Sequence, residues 1–237
     1  MTTLLLTLRA PLQSWGTSSR FARRTTDDHP SKSGITGLFA AALGRRRTEA
    51  VEDLLGLRMA VRLDVRGSIM RDFQTAVNLR SGVAMPLTSR YYLQDAVFVV
   101  AVSGDSALLE GIASAISSPH FPLYLGRRSC VPVEPLVAKL VNSEARSAIA
   151  GAPWSAPART RRRAAHEVEL EVIADASDDE GDATLVRDVP LSFDPRRREY
   201  GFRAVSRYRI WIENPDGIQL GIRSGIDGHD PMAMELP

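Results

Sequence analysis

The spacing of apolar and polar positions divides the start of the chain into a strand and a helix. Residues 2–8 form an apolar run of β-prone side chains, which predicts a buried first strand. Residues 33–43 repeat apolar side chains at helical spacing and predict a helix, with Ser33 as its N-cap and Gly44 as its stop signal. We therefore expect a strand followed by a helix.

Residues 57–65 show a strict period of two. Their odd positions are apolar, and Arg58, Arg62 and Asp64 lie between them. Successive side chains of a strand point to opposite faces of a sheet. The alternation therefore predicts a half-buried strand, with these three charged residues on the side away from the core.

The following elements repeat the same two types. Residues 96–102 are a continuous apolar run, which predicts a buried strand, and Leu108, Ile112 and Ile116 follow four apart, as on one face of a helix. Residues 133–141 predict a weaker strand. The order strand, helix, strand, strand, helix, strand is that of ferredoxin-like, or RNA-recognition-like, α+β domains.

An excursion over residues 67–94 separates the second of these strands from the third, and it is much longer than a hairpin turn needs. A hairpin with an apolar tip and flanking arginines would wedge between bases while holding the nucleic-acid backbone. The RNA contacts then expected are Arg71, Arg80, Met85 and Arg90. The alternative is a surface hairpin that packs on its own body.

The last third of the chain contains further strands and two charge runs. Residues 168–172 alternate between apolar side chains and glutamates and predict a strand, and residues 208–212 predict another. A basic run at 159–163 and an acidic run at 175–182 flank the first of these strands. Basic runs of this kind add electrostatic attraction to RNA or serve as solvated linkers.

These elements predict one compact folded chain with three parts. We expect a body at 1–145 that carries the excursion as an insertion, a β-rich C-terminal part at 146–216 packed on it, and a loose tail at 217–237. No window approaches the roughly 18 consecutive apolar residues of a membrane span. Cys130 is the only cysteine, so no internal disulfide forms, which agrees with a cytoplasmic location.

The basic residues are almost all arginine. Lysine occurs only at Lys32 and Lys139, so 28 of the 30 basic residues are arginine, although the net charge is only +2. The planar guanidinium fork suits phosphate and stacks on bases, which favours a nucleic-acid-binding protein. A GC-rich genome that writes arginine in place of lysine explains the same bias.

Two short segments present anion-binding chemistry. At 126–129, Gly126 precedes Arg127, Arg128 and Ser129, so the backbone can approach a phosphate while side chains clamp it. The simpler interpretation is an exposed turn with solvated arginines. Lys32 and Ser33 stand at the predicted start of the first helix, where free N–H groups would point outward and bind an anion. The simpler interpretation there is helix capping.

Catalytic chemistry has weak support in the sequence. The histidines are His29, His120, His166 and His229, and neither they nor Cys130 show metal-ligand spacing, so we expect no metal and no cofactor. Tyr124 follows His120 by four residues, which leaves open an acid–base pair of the kind that metal-independent ribonucleases use. The alternative is that both lie in an ordinary loop.

Five short segments, in this order and spacing, resemble the CasD family, a subunit of the type I-E CRISPR Cascade complex within the repeat-associated mysterious protein superfamily. The segments are LQSWG at 12–16, SKSGITGL at 31–38, RDFQT at 71–75, YLGRRSC at 124–130 and DVPLSFDP at 188–195. YLGRRSC is the most specific of them. The resemblance runs from the first strand to about Arg209.

The resemblance implies a ferredoxin-like body with a β-hairpin thumb, here within 67–94. It also implies a non-catalytic crRNA-binding subunit that holds the 5′ handle and caps the backbone filament for antiviral defence. The implied partners are the crRNA 5′ handle and the backbone and large subunits of Cascade, with target DNA reached only through the assembled complex and no membrane. Carried over to this chain, Lys32, Arg71, Arg127 and Arg128 become candidates for handle contacts.

Two other functions remain as alternatives. A related subtype of the family suggests a metal-independent endoribonuclease that processes precursor crRNA, but the sequence shows no clear acid–base set. A standalone RNA-recognition domain would need aromatic side chains on its central strands for base stacking. The first predicted strand, residues 2–8, has none.

Overall fold

The computed structural model describes residues 1–16, 23–177 and 180–218. The elements of the first part are β1 (Thr2–Arg9), β2 (Leu12–Gln13), β3 (Arg23–Arg24), α1 (Lys32–Ala42), α2 (Glu52–Leu55), β4 (Arg58–Val65), β5 (Ser68–Gln74), β6 (Thr88–Gln94), β7 (Val97–Gly104) and α3 (Ser106–Ser117). They are followed by β8 (Ala138–Asn142), α4 (Ala145–Gly151), α5 (Ala158–Arg161), β9 (Glu167–Asp175), β10 (Thr184–Ser192) and β11 (Glu199–Glu213).

Seven strands form one large sheet in the order β10-β11-β9-β4-β7-β1-β8, and all its neighbouring strands are antiparallel. The structure therefore combines a few helices with large antiparallel sheets, which agrees with the expected α+β class. The C-terminal strands extend the same sheet, because β9 pairs with β4 from Ala60↔Ala174 to Arg62↔Val172.

The main core lies on the sheet face that α1 and α3 cover. The even positions of β1 point into it, and so do apolar residues of both helices: Leu4, Leu6, Leu8, Ile35, Phe39, Leu109 and Ile112. Each is almost fully removed from water, and burial of such a side chain contributes roughly 1.5–3 kcal/mol. The strand predicted at 2–8 and the helix predicted from Leu108 are both confirmed.

Helix α1 begins two residues earlier than the sequence suggested. Ser31 is the N-cap, since its backbone is extended and its hydroxyl accepts from the Gly34 amide at 3.2 Å. The prediction of Ser33 as N-cap is wrong because Ser33 already lies inside the first helical turn. Gly44 follows the helix with a φ of +80°, in line with its predicted role as a stop signal.

Strand β4 is buried on both faces, so the prediction of a half-buried strand is wrong. Arg62 and Asp64 are almost completely inaccessible, and only Arg58 of the three charged residues is exposed. Helix α4 and the loop after it cover this second face, where Ile149 packs near β4 and β7. Period-two alternation cannot distinguish a side chain in water from one in a buried ionic network.

The excursion forms a hairpin. Strands β5 and β6 pair from Ser68↔Gln94 to Gln74↔Thr88, and β2 and β3 flank β6 in a four-stranded sheet. The tip is exposed, and a single bridge, Val77↔Ala84, joins its two sides.

Strand boundaries differ most in the last third. The predicted strands at 168–172 and 208–212 lie within the longer β9 and β11, whereas β10 was not predicted. β8 begins at Ala138, and not at 133. Of the predicted tail at 217–237, residues 219–237 lie outside the described residues. No helix in the described part of the chain has the length and apolar character needed to cross a membrane.

Candidate nucleic-acid interface

An open cleft of about 850 Å³ lies where the small sheet meets the loop that follows Leu125. It is lined by Ser14, Gly16, Arg24, Thr25, Arg47, Gln74, Arg90, Gly126, Arg127, Arg128, Ser129 and Arg198. Six of these residues are arginines and none is acidic. Clustered positive charge in a concave surface attracts phosphate groups and raises their local concentration.

Gly126 allows one wall of this cleft to form. Its φ is +97°, and a Cβ at this position would stand 1.7 Å from the carbonyl oxygen of Ser14. The Ser14 amide donates to the Leu125 carbonyl at 3.1 Å, which holds the two segments together. The next buried side chain is Cys130, and burial raises the pKa of its thiol, so it serves as a small apolar residue beneath the loop.

Arg127 braces the cleft. Its guanidinium donates to the carbonyls of Tyr91 at 3.0 Å, Arg24 at 2.9 Å and Thr25 at 3.3 Å, and it lies 4.7 Å from the centre of the Tyr92 ring. These contacts tie the loop to β6, to the last residue of β3 and to the residue after it. Most of the directional donors of Arg127 are therefore used within the protein.

Four other arginines leave their guanidinium groups available. Arg24, Arg47, Arg128 and Arg198 are exposed, and within the described residues none of them has a side-chain hydrogen bond or an ion pair. Ser129, beside Arg128, is also exposed, and its hydroxyl lies 3.5 Å from that of Tyr92. This set can bind phosphates without breaking a contact of the fold.

Sequence reasoning missed three of these residues. Arg24, Arg47 and Arg198 come from segments far apart in the chain, and only the fold brings them to one cleft. Two runs of three consecutive arginines, at 45–47 and 196–198, could have pointed to Arg47 and Arg198, but Arg24 lies in neither run.

The residues predicted on the excursion separate into two groups. Arg90 is half-buried on β6 and lines the cleft, and its Nε has no hydrogen-bond partner among the described residues. Arg71 is exposed on β5 and donates to the Ser89 hydroxyl at 3.0 Å. Arg80 and Met85 lie at the exposed hairpin tip. Of these four, only Arg90 lines the cleft.

The helix start at Lys32 and Ser33 is already occupied by the protein itself. Asp188 of β10 accepts the Lys32 amide at 2.7 Å, and Asp175 accepts the Lys32 ammonium at 3.3 Å. Arg203 donates to both oxygens of Asp188, at 2.7 and 2.9 Å. Lys32 and Ser33 are buried, so the helix start does not present free N–H groups outward as the sequence suggested. That these two residues contact RNA stays a prediction. A carboxylate of the same chain satisfies the helix N-terminus.

His120 and Tyr124 do not form an acid–base pair in this structure. The His120 ring packs edge-on against Phe121, with ring centres 4.6 Å apart, and the His120 amide donates to the Ala42 carbonyl at 3.0 Å. No hydrogen bond joins its side chain to that of Tyr124. In the described part of the chain, no three His, Cys, Asp or Glu side chains cluster as a metal site requires.

Comparison with known proteins identifies close relatives. Residues 3–206 match the family model described as CRISPR-associated protein (Cas_Cas5). The CRISPR system Cascade subunit CasD of Escherichia coli (strain K12) is 32% identical over 153 residues, which cover 56% of this chain and 68% of that protein.

Two solved structures share the fold over nearly the whole chain. A chain from "Crystal structure of Cas protein" is 38% identical with a TM-score of 0.67, over 92% of this chain and 98% of that one. A chain from "CRISPR RNA-guided surveillance complex" is 32% identical with a TM-score of 0.74, over 93% of this chain and 95% of that one.

Proposed function

Since the chain belongs to the Cas5 family of CRISPR-associated proteins, we propose that it is a crRNA-binding subunit of a type I-E Cascade complex. In this role it holds the 5′ handle of the guide RNA, caps one end of the backbone filament and contacts the large subunit. It acts in antiviral defence and reaches target DNA only through the assembled complex. The similarity to CasD and to a chain of a surveillance complex supports this proposal.

The observation that carries the proposal is the cleft. Four exposed arginines without partners among the described residues face a concave surface that has no acidic residue. A single-stranded handle presents closely spaced phosphates, and each guanidinium can donate two parallel hydrogen bonds to one of them. Arg127 holds the cleft in shape, and Arg24, Arg47, Arg128 and Arg198 contact the RNA.

We further propose that the body is ferredoxin-like and that the β5–β6 hairpin is its thumb. Within the large sheet, the neighbours β4, β7, β1 and β8 have the strand order that a strand, helix, strand, strand, helix, strand chain gives in such folds. The hairpin leaves the body between the second and third of these strands and exposes Val77, Leu79, Val83 and Met85. Its apolar tip suits contact with bases or with a neighbouring subunit.

The test compares two double variants in handle-RNA affinity across a salt series. Each phosphate contact on single-stranded RNA contributes roughly 0.7 to the slope of log affinity against log salt. The variant Arg128→Ala with Arg198→Ala should therefore lose about 1.4 in slope. Arg66→Ala with Arg209→Ala is the matched control, because both residues are exposed, lie outside the cleft and pair with glutamates, and it should keep the parent slope. Equal losses in the two variants would refute the cleft as the binding site.

A further inference from the structure

A short segment before and within β8 exposes an unusual number of apolar side chains. Val131, Val133 and Val137 are 55%, 56% and 74% exposed, and Leu140 is 37% exposed. Within this loop, the lining of the cleft proposed for RNA ends at Ser129, and none of these four apolar residues lines that cleft. Val133 and Val137 line one depression, whereas Leu140 lies on the opposite face of β8 from Val137 and Val141. Exposed apolar residues that share a surface mark contact sites for other macromolecules.

β8 is the last strand of the large sheet. It pairs with β1 from Ala138↔Leu6 to Asn142↔Thr2, and in the described part of the chain no segment pairs with its other side. The backbone N–H and C=O groups that point outward from an edge strand form a template for another strand. The edge therefore favours an extended polypeptide as its occupant.

A groove runs beside this edge, on the sheet face that also carries α4. Its volume is about 390 Å³, and among its apolar lining residues are Leu5, Val99, Val137, Val141 and Ala148. It shares Thr7, Val137, Pro153 and Ser155 with a second cavity of about 580 Å³, so the two form one continuous depression. This depression has room for alternate side chains of an extended segment.

Lys139 is the one charged residue that lines the 390 Å³ groove. It is exposed, and within the described residues it forms no ion pair. A lysine among apolar neighbours complements a carboxylate. A nucleic acid would meet this one lysine in the groove, and in the adjoining 580 Å³ cavity it would face the carboxylates of Glu134, Glu213 and Asp216 against the two arginines Arg9 and Arg161. The surface therefore fits a protein strand better than RNA.

We propose that β8 accepts an extended strand of a partner protein. The strand adds to the sheet edge through main-chain hydrogen bonds, places alternate apolar side chains in the groove and sets an acidic side chain against Lys139. The inference rests on the proposed function in one respect, because we take the partner strand to belong to another subunit of the complex. It assigns a surface and a mode of contact that the cleft does not provide.

The first test is amide hydrogen exchange of the isolated chain and of the complex assembled on guide RNA. Those amides of 138–142 that point away from β1 should exchange at least about tenfold more slowly in the complex, because new main-chain bonds protect them. The amides of β10, the opposite edge of the sheet, serve as the internal reference and should change less. Equal exchange of 138–142 in both states would overturn the proposal.

The second test uses incorporation into the purified complex. Val137→Asp and Lys139→Glu should each lower the occupancy of this subunit several-fold, while Leu185→Asp, a matched change of a 71% exposed residue on β10, should not. Handle-RNA affinity of each isolated variant is measured in parallel and should equal that of the parent. Normal incorporation of both β8 variants overturns the strand proposal, whereas loss of RNA binding by the parent protein would refute the proposed function instead.

Discussion

Arg62 and Asp64, two residues apart on β4, form a bidentate ion pair that is buried from water. The distance from Arg62 Nε to Asp64 Oδ1 is 2.6 Å, and that from Nη2 to Oδ2 is 3.0 Å. The remaining Arg62 donors reach the carbonyls of Ile149, Ala152 and Pro153 at 2.6–2.7 Å. One side chain therefore fastens α4 and the loop after it to the second face of the sheet.

Replacing Arg62 should destabilise the whole protein. Arg62→Ala leaves a buried carboxylate and three carbonyls without their partner, and breaking such a pair costs about 3–5 kcal/mol. Urea unfolding measures the change in free energy. Arg58→Ala on the same strand is the control, since Arg58 is exposed and makes one bond to the Ala176 carbonyl, and it should cost no more than about 1 kcal/mol. Similar losses in the two variants would contradict the role given to Arg62.

The cleft loop should not tolerate a side chain at position 126. Gly126→Ala combines the strain of a positive φ, about 1–2 kcal/mol, with a collision against the Ser14 carbonyl. We expect a lower melting temperature and weaker handle binding. Gly82→Ala, at a φ of +67° with open space around the Cβ, should show the strain alone. Equal melting temperatures of the two alanine variants would contradict the collision proposed at position 126.

Arg127 and Arg128 should separate in their effects although they are neighbours. Arg127→Ala removes three bonds to main-chain carbonyls and should lower the melting temperature. Arg128→Ala should leave the melt unchanged and lower the salt slope of handle affinity by roughly 0.7. Thermal melts and a salt series on both variants give the comparison. A lower melting temperature of Arg128→Ala with an unchanged salt slope would exclude Arg128 as a phosphate contact.

The hairpin tip should contribute to assembly more than to folding. Deleting 82–87 and closing the turn with glycines removes exposed residues and a few local bonds, such as that from the Met85 amide to the Ala76 carbonyl. The melting temperature should therefore change little, while assembly around the guide RNA weakens. Native mass spectrometry of the complex measures the assembly. Full assembly by the deletion variant would mean that the tip is not a contact.

The isolated protein should leave repeat RNA uncut, with or without divalent metal. His120 and Tyr124 are the candidate acid–base residues, and no hydrogen bond joins their side chains in this structure. The assay is gel electrophoresis of labelled repeat RNA after incubation with the parent, His120→Ala and Tyr124→Phe proteins. Specific cleavage that either substitution abolishes would establish the endoribonuclease alternative.

Local pattern was sufficient for the buried elements of the first half of the chain. The apolar runs at 2–8 and 96–102 and the helical spacing of Leu108, Ile112 and Ile116 correspond to β1, β7 and α3. Hydrophobic periodicity indicates which face of a helix or strand is buried, and a window of about ten residues is enough to show it. β10 was not predicted, in part because Pro190 interrupts the apolar pattern. The register between β10 and β11 is also irregular.

The sequence predicted only some of the residues that line the cleft. Gly126, Arg127, Arg128 and Ser129 are consecutive, so one motif pointed to all of them, and Arg90 was found on the excursion. Arg24, Arg47 and Arg198 join them only through folding. That the four exposed arginines of the cleft contact RNA stays a prediction.

By itself, the sequence determined the order of the main strands and helices, the bias toward arginine and the family resemblance, because each is carried by short stretches of the chain. Tertiary structure alone decided how each charge is used. Arg62 is buried by α4, Lys32 is held by Asp188 from a strand 156 residues away, and Arg128 stays exposed. A charged side chain has the same appearance in a sequence in all three situations, since its role depends on the partners that distant segments bring to it.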